Sequence, residues 1–189
     1  AAAASSAAAS RRTARAPRSS SPRAQPGRSV YASTHASRTA AAVSAVVAAG
    51  AALHVGKETR ELRLSQERGA FLVNDGLMFL TDTRVTAWRE ADNGPATFRE
   101  AKEFRPFLVS WGGSELYIAS SVLTSLGYDN SKSYGVSITQ YTPNMHERLQ
   151  RAEPTGWLID SEFVDHWYGF YCYEAQNVVI KGNTYRDNI

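Results

Sequence analysis

The chain has 189 residues, 43% of them hydrophobic, with 21 Lys and Arg against 18 Asp and Glu, enough for one domain or for one domain and a tail. The net charge of +3 hides a split: residues 1–56 carry seven Arg, no Lys and no acid, whereas residues 57–189 hold all 18 acids and are net acidic, which excludes a broad nucleic-acid footprint there. The single cysteine, Cys172, excludes an intrachain disulfide framework and a Cys-based zinc site, and no run of 18 strongly apolar residues argues for a membrane span.

The first 56 residues differ in composition from the rest. They contain 20 Ala and 10 Ser, so they offer little bulky apolar area against the entropy of ordering a backbone. They read as a low-complexity tail, disordered or not native coding sequence, since Ala, Arg, Ser, Pro and Gly are what GC-rich DNA gives out of frame. An Arg-rich, acid-free transit peptide is a second reading. A secretory signal using Thr39–Val55 is a third, with a poor fit because that stretch is long and mostly Ala.

From Lys57 the pattern changes to short strand-like runs separated by turn residues. Ala70–Val73 is followed by Asn74-Asp75-Gly76, a strong turn signal. Then come Leu77–Leu80, Arg84–Trp88, Phe107–Trp111, Leu116–Ala119, Tyr134–Ile138, Gly156–Ile159, Tyr168–Tyr173 and Asn177–Ile180, rich in the β-branched and aromatic residues of strands. No stretch sustains a helical apolar period, although Asn144–Arg151 has the composition of a short helix inside a loop. The fold class is all-β.

The strands repeat. Ser161–His166 resembles Asn183–Asn188 at an offset of 22 residues. Tyr134-Gly135 recurs as Tyr168-Gly169 at an offset of 34, the excess falling in the loop Tyr141–Thr155. Three short strands per repeat, with Asn or Ser at the bends, are what a right-handed parallel β-helix requires, because a single coil buries its inner face only by stacking on the next. The expected domain covers residues 57–189.

Long strings carry a resemblance: ELRLSQERGAFLVNDG (61–76), EFRPFLVSWGGSELYI (103–118), SKSYGVSITQYTPNMHERLQRAEPTGWLIDSEF (131–163) and WYGFYCYEAQNVVIKGNTYRDNI (167–189). In these the sequence resembles the periplasmic mannuronan C-5-epimerases of bacterial alginate biosynthesis. The resemblance implies a β-helix enzyme of the periplasm that inverts C-5 of D-mannuronate within the polymer to give L-guluronate. It implies an alginate (polymannuronate) chain as partner, other periplasmic alginate-secretion proteins as further partners, and neither nucleic acid nor a membrane span. No cofactor or metal is expected, for no calcium-loop cluster of acids occurs. In this family a catalytic Asp-Pro-His-Asp segment follows the NTYRDNI string by a few residues. The resemblance therefore implies catalytic His and Asp beyond Ile189, with an arginine from later coils near the substrate carboxylate. His35, His54, His146 and His166 do not replace them.

The chemistry sets the demands on such a site. The C-5 proton is α to a carboxylate, so its removal builds a second negative charge on an anionic group. Cations or hydrogen-bond donors aimed at the carboxylate must offset that charge, a base takes the proton from one face, and an acid returns one on the other. If the same intermediate expels the 4-O-glycosidic bond, the enzyme is a lyase; residue types alone do not separate the two. A non-catalytic alginate-binding or scaffold β-helix, or a phage adhesin, are readings from other classes.

Within this sequence the expected sugar-binding residues are Tyr171, Tyr173, Thr139, Lys132 and Arg186. A polymer running along the helix axis would cross Tyr171, Tyr173 and Glu174 and then, one coil earlier, Ser137, Thr139 and Gln140. Lys132 and Arg186 are candidate carboxylate partners, each with a coil-to-coil salt bridge as the competing role; Arg105 and Arg148 are weaker candidates. Cys172 alternates with the two tyrosines and should point into the core. Trp111-Gly112-Gly113 reads as a turn where backbone approaches closely, and the Pro143–Pro154 insertion as a loop that borders the groove or covers the helix side.

Overall fold

The computed structural model describes residues 29–31, 39–42, 44–97 and 100–189. These residues form a parallel β-helix. Each coil but the last described one contributes one strand to each of three sheets. The first coil holds β1 (Ser29–Tyr31), β2 (Thr39–Ala42) and β3 (Ala45–Val47). The second holds β4 (Ala52–Val55), β5 (Glu61–Ser65) and β6 (Leu72–Asn74). The third holds β7 (Leu77–Thr81), β8 (Arg84–Arg89), a short antiparallel partner β9 (Gly94–Pro95), and β10 (Leu108–Trp111). The fourth holds β11 (Glu115–Ala119), β12 (Val122–Thr124) and β13 (Gly135–Thr139). After α1 (Pro143–Leu149), the fifth holds β14 (Thr155–Ile159), β15 (Glu162–Val164) and β16 (Tyr168–Tyr173). The last described coil adds β17 (Val179–Lys181) and β18 (Thr184–Arg186). The first sheet is ordered β1-β4-β7-β11-β14-β17, the second β2-β5-β8-β12-β15-β18 and the third β3-β6-β10-β13-β16.

The core lies in the bore, built from columns of in-register apolar residues. Val55, Leu80, Ile118 and Leu158 form one column, Leu62, Val85, Leu123 and Phe163 a second, and Leu72, Leu108 and Val136 a third. All of these are buried, each worth roughly 2 kcal/mol of apolar transfer. Gly156 continues the column of Met78 and Leu116 because a Cβ there would come within 2.5 Å of Ile138 Cδ1.

Bends are held by side chains that bond from coil to coil. Asn183 Oδ1 accepts the Ser161 amide at 2.9 Å and its Nδ2 donates to Leu158 O at 2.7 Å. Asn188 does the same one bend later, accepting from the His166 amide at 2.8 Å and donating to Phe163 O at 3.2 Å. The residue before each is left-handed or permissive: Asp160 at φ 47°, Gly182 at φ 68°, Asp165 at φ 54° and Asp187 at φ 58°. The 22-residue repeat is therefore a physical register, with Glu162 beside Thr184 and Trp157 beside Val179. Tyr134-Gly135 and Tyr168-Gly169 are also stacked, with an irregularity: Gly135 aligns with Tyr168 and Ser137 with Tyr171.

Three differences from the sequence reading have physical causes. The coils begin before Lys57: β1 to β4 lie inside the stretch read as a tail, and Val47 and Val55 belong to the core. Ala has low intrinsic strand preference, so strand pairing here follows from register with the next coil. Residues 1–28 lie outside the described residues. The strands of the second sheet at 61–65, 122–124, 162–164 and 184–186 were not legible because three of the four are only three residues long, too short to show alternation. Cys172 does stand in the inward column, beside Ile138, yet it is exposed, because β16 is the last strand of its sheet among the described residues and nothing stacks above it.

Candidate functional site

The third sheet positions the residues expected to meet a polymer. In β13, Val136 and Ile138 face the bore, so Ser137 and Thr139 lie on the outer side of the sheet, where both are buried beneath neighbouring side chains. Register then places Tyr171 on Ser137 and Tyr173 on Thr139 in the next coil. Strand neighbours are about 4.8 Å apart, so these side chains form two short outward columns along the helix axis.

Two loops wall this face. One carries Lys132, held in the left-handed region at φ 63°. Its ammonium donates to the Gln140 carbonyl oxygen, which also accepts from Thr139 Oγ1 at 3.3 Å. The other wall is the insertion that runs from Tyr141 through α1. Pro143 begins the helix at a position where its missing N–H costs nothing, and Gln150 ends it in a left-handed conformation. Three contacts tie this arm down. The Tyr141 hydroxyl donates to Asp75 Oδ1. Arg151 Nη1 lies 3.2 Å from both Asp75 carboxylate oxygens, and Nη2 donates to Asp75 O at 3.1 Å. The Tyr141 ring lies over Gly112 (φ 57°), where any Cβ would come within 2.2 Å of it. The Trp111-Gly112-Gly113 turn is thus a seat for the insertion.

Between these walls is a cleft of about 330 Å³ lined by Lys132, Thr139, Tyr171, Tyr173, Glu174 and Thr142. Four of the five side chains expected from sequence therefore meet. Arg186 does not: it lies on β18 of the second sheet, exposed, with Nη2 3.5 Å from Glu162 Oε2 and Nη1 3.3 Å from Asp187 Oδ2. It fills the competing role of a coil-to-coil ion pair. Tyr141 and Thr142 were not singled out from sequence; the only signal was the length of the insertion they open.

The electrostatics of the cleft are balanced. Burial lowers the Lys132 pKa, and the nearby Glu174 carboxylate partly opposes that. The Tyr173 phenol is raised, first by its hydrogen bond to Glu174. One cation, one anion and two phenols suit a ligand that carries both carboxylate and hydroxyl groups, while the buried Thr139 hydroxyl bonds Gln140 O beneath them.

No described histidine faces this cleft. His166 is fully buried at a corner, its ring nitrogens 3.2 Å from Gly169 O and 3.1 Å from Leu123 O. Burial, aided by the Arg105 charge, lowers its pKa to about 4. His54 stacks on Phe79 at 4.4 Å, at one end of an outer ladder that continues through Tyr117 and Trp157. His146 is exposed on α1, and His35 lies outside the described residues. Arg105 is buried and pinned to Asp165, with Nη1 3.1 Å from Oδ2 and Nη2 donating to Asp165 O at 2.8 Å; Arg148 is exposed on α1. Among the described residues no three His, Cys, Asp or Glu side chains converge in a way that suits a metal ion.

Known proteins of the same character exist. No family model matches the chain. It is 64% identical over 149 residues to the mannuronan C5-epimerase AlgG of Azotobacter vinelandii, covering 79% of this chain and 28% of that protein. It is 68% identical over 137 residues to the mannuronan C5-epimerase of Pseudomonas putida, covering 72% and 26%. The crystal structure of the periplasmic alginate epimerase AlgG superposes with a TM-score of 0.74 at 57% identity, over 76% of this chain and 34% of that one. The chain thus spans roughly a quarter of the curated relatives it matches. In sequence and in fold, the chain is an AlgG-like segment, similar to part of the periplasmic mannuronan C5-epimerases.

Proposed function

We propose that these coils form the polymer-binding platform of a periplasmic mannuronan C5-epimerase, which converts D-mannuronate to L-guluronate within alginate. The observation that carries this reading is the cleft on the third sheet, where Lys132, Thr139, Tyr171 and Tyr173 converge along the helix axis. Lys132 faces a uronate carboxylate, Glu174 accepts from sugar hydroxyls, and the tyrosines offer ring faces and hydroxyls to pyranose rings.

The residues of this chain bind and orient the polymer; they do not move the C-5 proton. The only buried histidine among the described residues, His166, is neutral near pH 7 and faces carbonyl oxygens at a corner. By resemblance, the proton-transfer groups come from the coil that carries the family's Asp-Pro-His-Asp motif, which stacks on Tyr171-Cys172-Tyr173. Lys132, anchored at the end of β13 two strand steps below such a coil, helps to fix the register of the sugar carboxylates along the face.

Affinity electrophoresis tests the binding step. Migration of this chain should be retarded in gels that contain polymannuronate and not in gels that contain a neutral β-linked glucan. The substitution Lys132→Gln should weaken polymannuronate retardation about tenfold, the size of one charge-assisted contact. Equal retardation by the neutral polymer would remove the uronate assignment.

A further inference from the structure

We propose that Gln140 is a positioning residue of the cleft: its buried side-chain amide orients the 140–141 peptide, and the carbonyl of that peptide holds the Lys132 ammonium where a uronate carboxylate meets it. This rests on the polymer-binding reading above and names the residue that places its cation.

The sequence pattern put Gln140 among the residues a polymer would cross, yet it is buried and its amide is spent on the insertion. Oε1 accepts the Tyr141 N–H at 2.8 Å, and Nε2 donates to Ala152 O at 3.4 Å. One side chain thus joins the two ends of the insertion. The Gln140 main-chain N–H donates to Tyr173 O at 3.2 Å, which ties the same residue to β16.

A peptide unit is planar and trans, so its N–H and C=O point in opposite directions. Holding the Tyr141 N–H therefore aims the Gln140 carbonyl the other way. That oxygen accepts from the Lys132 ammonium, and from Thr139 Oγ1 at 3.3 Å. Tyr141 is fixed in turn by its hydroxyl on Asp75, so the peptide is clamped on both sides.

Lys132 is fixed at its backbone as well. It stands at φ 63°, a conformation that is costly for a residue with a Cβ. The next residue, Ser133, is buried, donates its N–H to Asn130 O at 2.9 Å and accepts from Tyr128 N at 2.9 Å. Lysine is a point charge on a flexible four-carbon stem, and here both ends of the stem are held. Its ammonium has three donors; one serves the Gln140 carbonyl, which leaves donors for a ligand. Glu174 lines the same cleft and bonds the Tyr173 phenol. Each charge therefore has a partner other than its opposite. A cation placed in this way is ordered before the polymer arrives, which removes part of the cost of binding. Leucine at position 140 would leave the Tyr141 N–H unpaired in a buried place, which is costly. The peptide then turns to find a partner and releases Lys132.

A double-mutant cycle on polymannuronate affinity, read by affinity electrophoresis, tests this. Lys132→Gln should weaken binding about tenfold. Gln140→Leu should weaken it about fivefold, and the double variant only about tenfold, because both changes remove one contact. Proton-detected NMR should show a slowly exchanging Lys132 ammonium that Gln140→Leu abolishes. If Gln140→Leu does not fold, as judged by its melting curve, Gln140→Asn, whose shorter amide reaches one loop end only, replaces it with the same outcomes. A double variant about fiftyfold weaker, the product of the single effects, shows that Gln140 acts without Lys132 and overturns the proposal while the platform stands. So does a wild-type Lys132 ammonium that exchanges as fast as those of exposed Lys57 and Lys181, and so does a Lys132→Gln variant that binds like wild type. Failure of the wild-type chain to bind polymannuronate overturns the platform and the positioning role together.

Discussion

His166 and Asn188 stand at the same corner one coil apart, and they meet the same demand with different chemistry. Asn188 bonds the coil below through an amide; His166 lies beneath it with an imidazole between two carbonyl oxygens. A neutral ring donates to one of them, and a charged ring would donate to both. Burial and the Arg105 guanidinium outweigh that gain and hold the folded pKa at about 4, well below the ordinary 6.5 of an imidazole. The folded state thus binds fewer protons than the unfolded state between these values. Stability conferred by neutral His166 is complete above about pH 6.5 and falls as pH drops toward 4, by at most roughly 3 kcal/mol. His166→Asn, which copies the residue used one coil later, should flatten that slope in melts across this range. It should also lower stability at pH 7 by about 1–3 kcal/mol, because the smaller side chain underfills the site.

At the scale of the element, the insertion between β13 and β14 is attached to a coil far from it in sequence. Asp75 lies two coils before α1 and receives Tyr141 and a two-pronged Arg151. Burial first, and then the hydrogen bond to Asp75, push the Tyr141 phenol up to about 12, so the contact persists at any physiological pH. The helix itself contributes no buried residue, and its placement rests on this knot. Asp75→Asn should cost about 1–2 kcal/mol locally. Trypsin should then cut several-fold faster after Arg148, and oligomannuronate affinity should fall as Thr142 leaves the cleft wall. Cleavage at the wild-type rate would show that the arm is held by something else.

For the molecule as a whole, stability is a sum over stacked coils, each covering the next. The last described coil covers only two of the three sheets. Ile180, in the inward column of Leu158, is 51% exposed, and Tyr185, in the column of Phe163, is 41% exposed. An open sheet edge beside an uncovered core favours pairing with another chain. The 189-residue chain should therefore self-associate, with sedimentation coefficients that rise with concentration, and Ile180→Lys should reduce this. A monodisperse monomer at high concentration would contradict the expectation.

The sequence by itself determined that coils form and how they stack. The 22-residue echo between Ser161–His166 and Asn183–Asn188 is legible because each bend needs a left-handed residue followed by a side chain that bonds one coil away. The alternation of Tyr171, Cys172 and Tyr173 is legible because strand side chains switch faces at every residue. Both are local rules that leave marks at fixed spacing. The tertiary structure alone decided which outward residues share a site. Lys132 and Arg186 are equivalent in sequence terms, each a cation near a strand. Only the three-sheet winding sends one to the third face beside Thr139 and the other to the second face beside Glu162. The same winding drew strands from the Ala-rich stretch and brought Asp75 to Arg151. These outcomes depend on contacts between residues tens of positions apart, and pattern along the chain carries no trace of them.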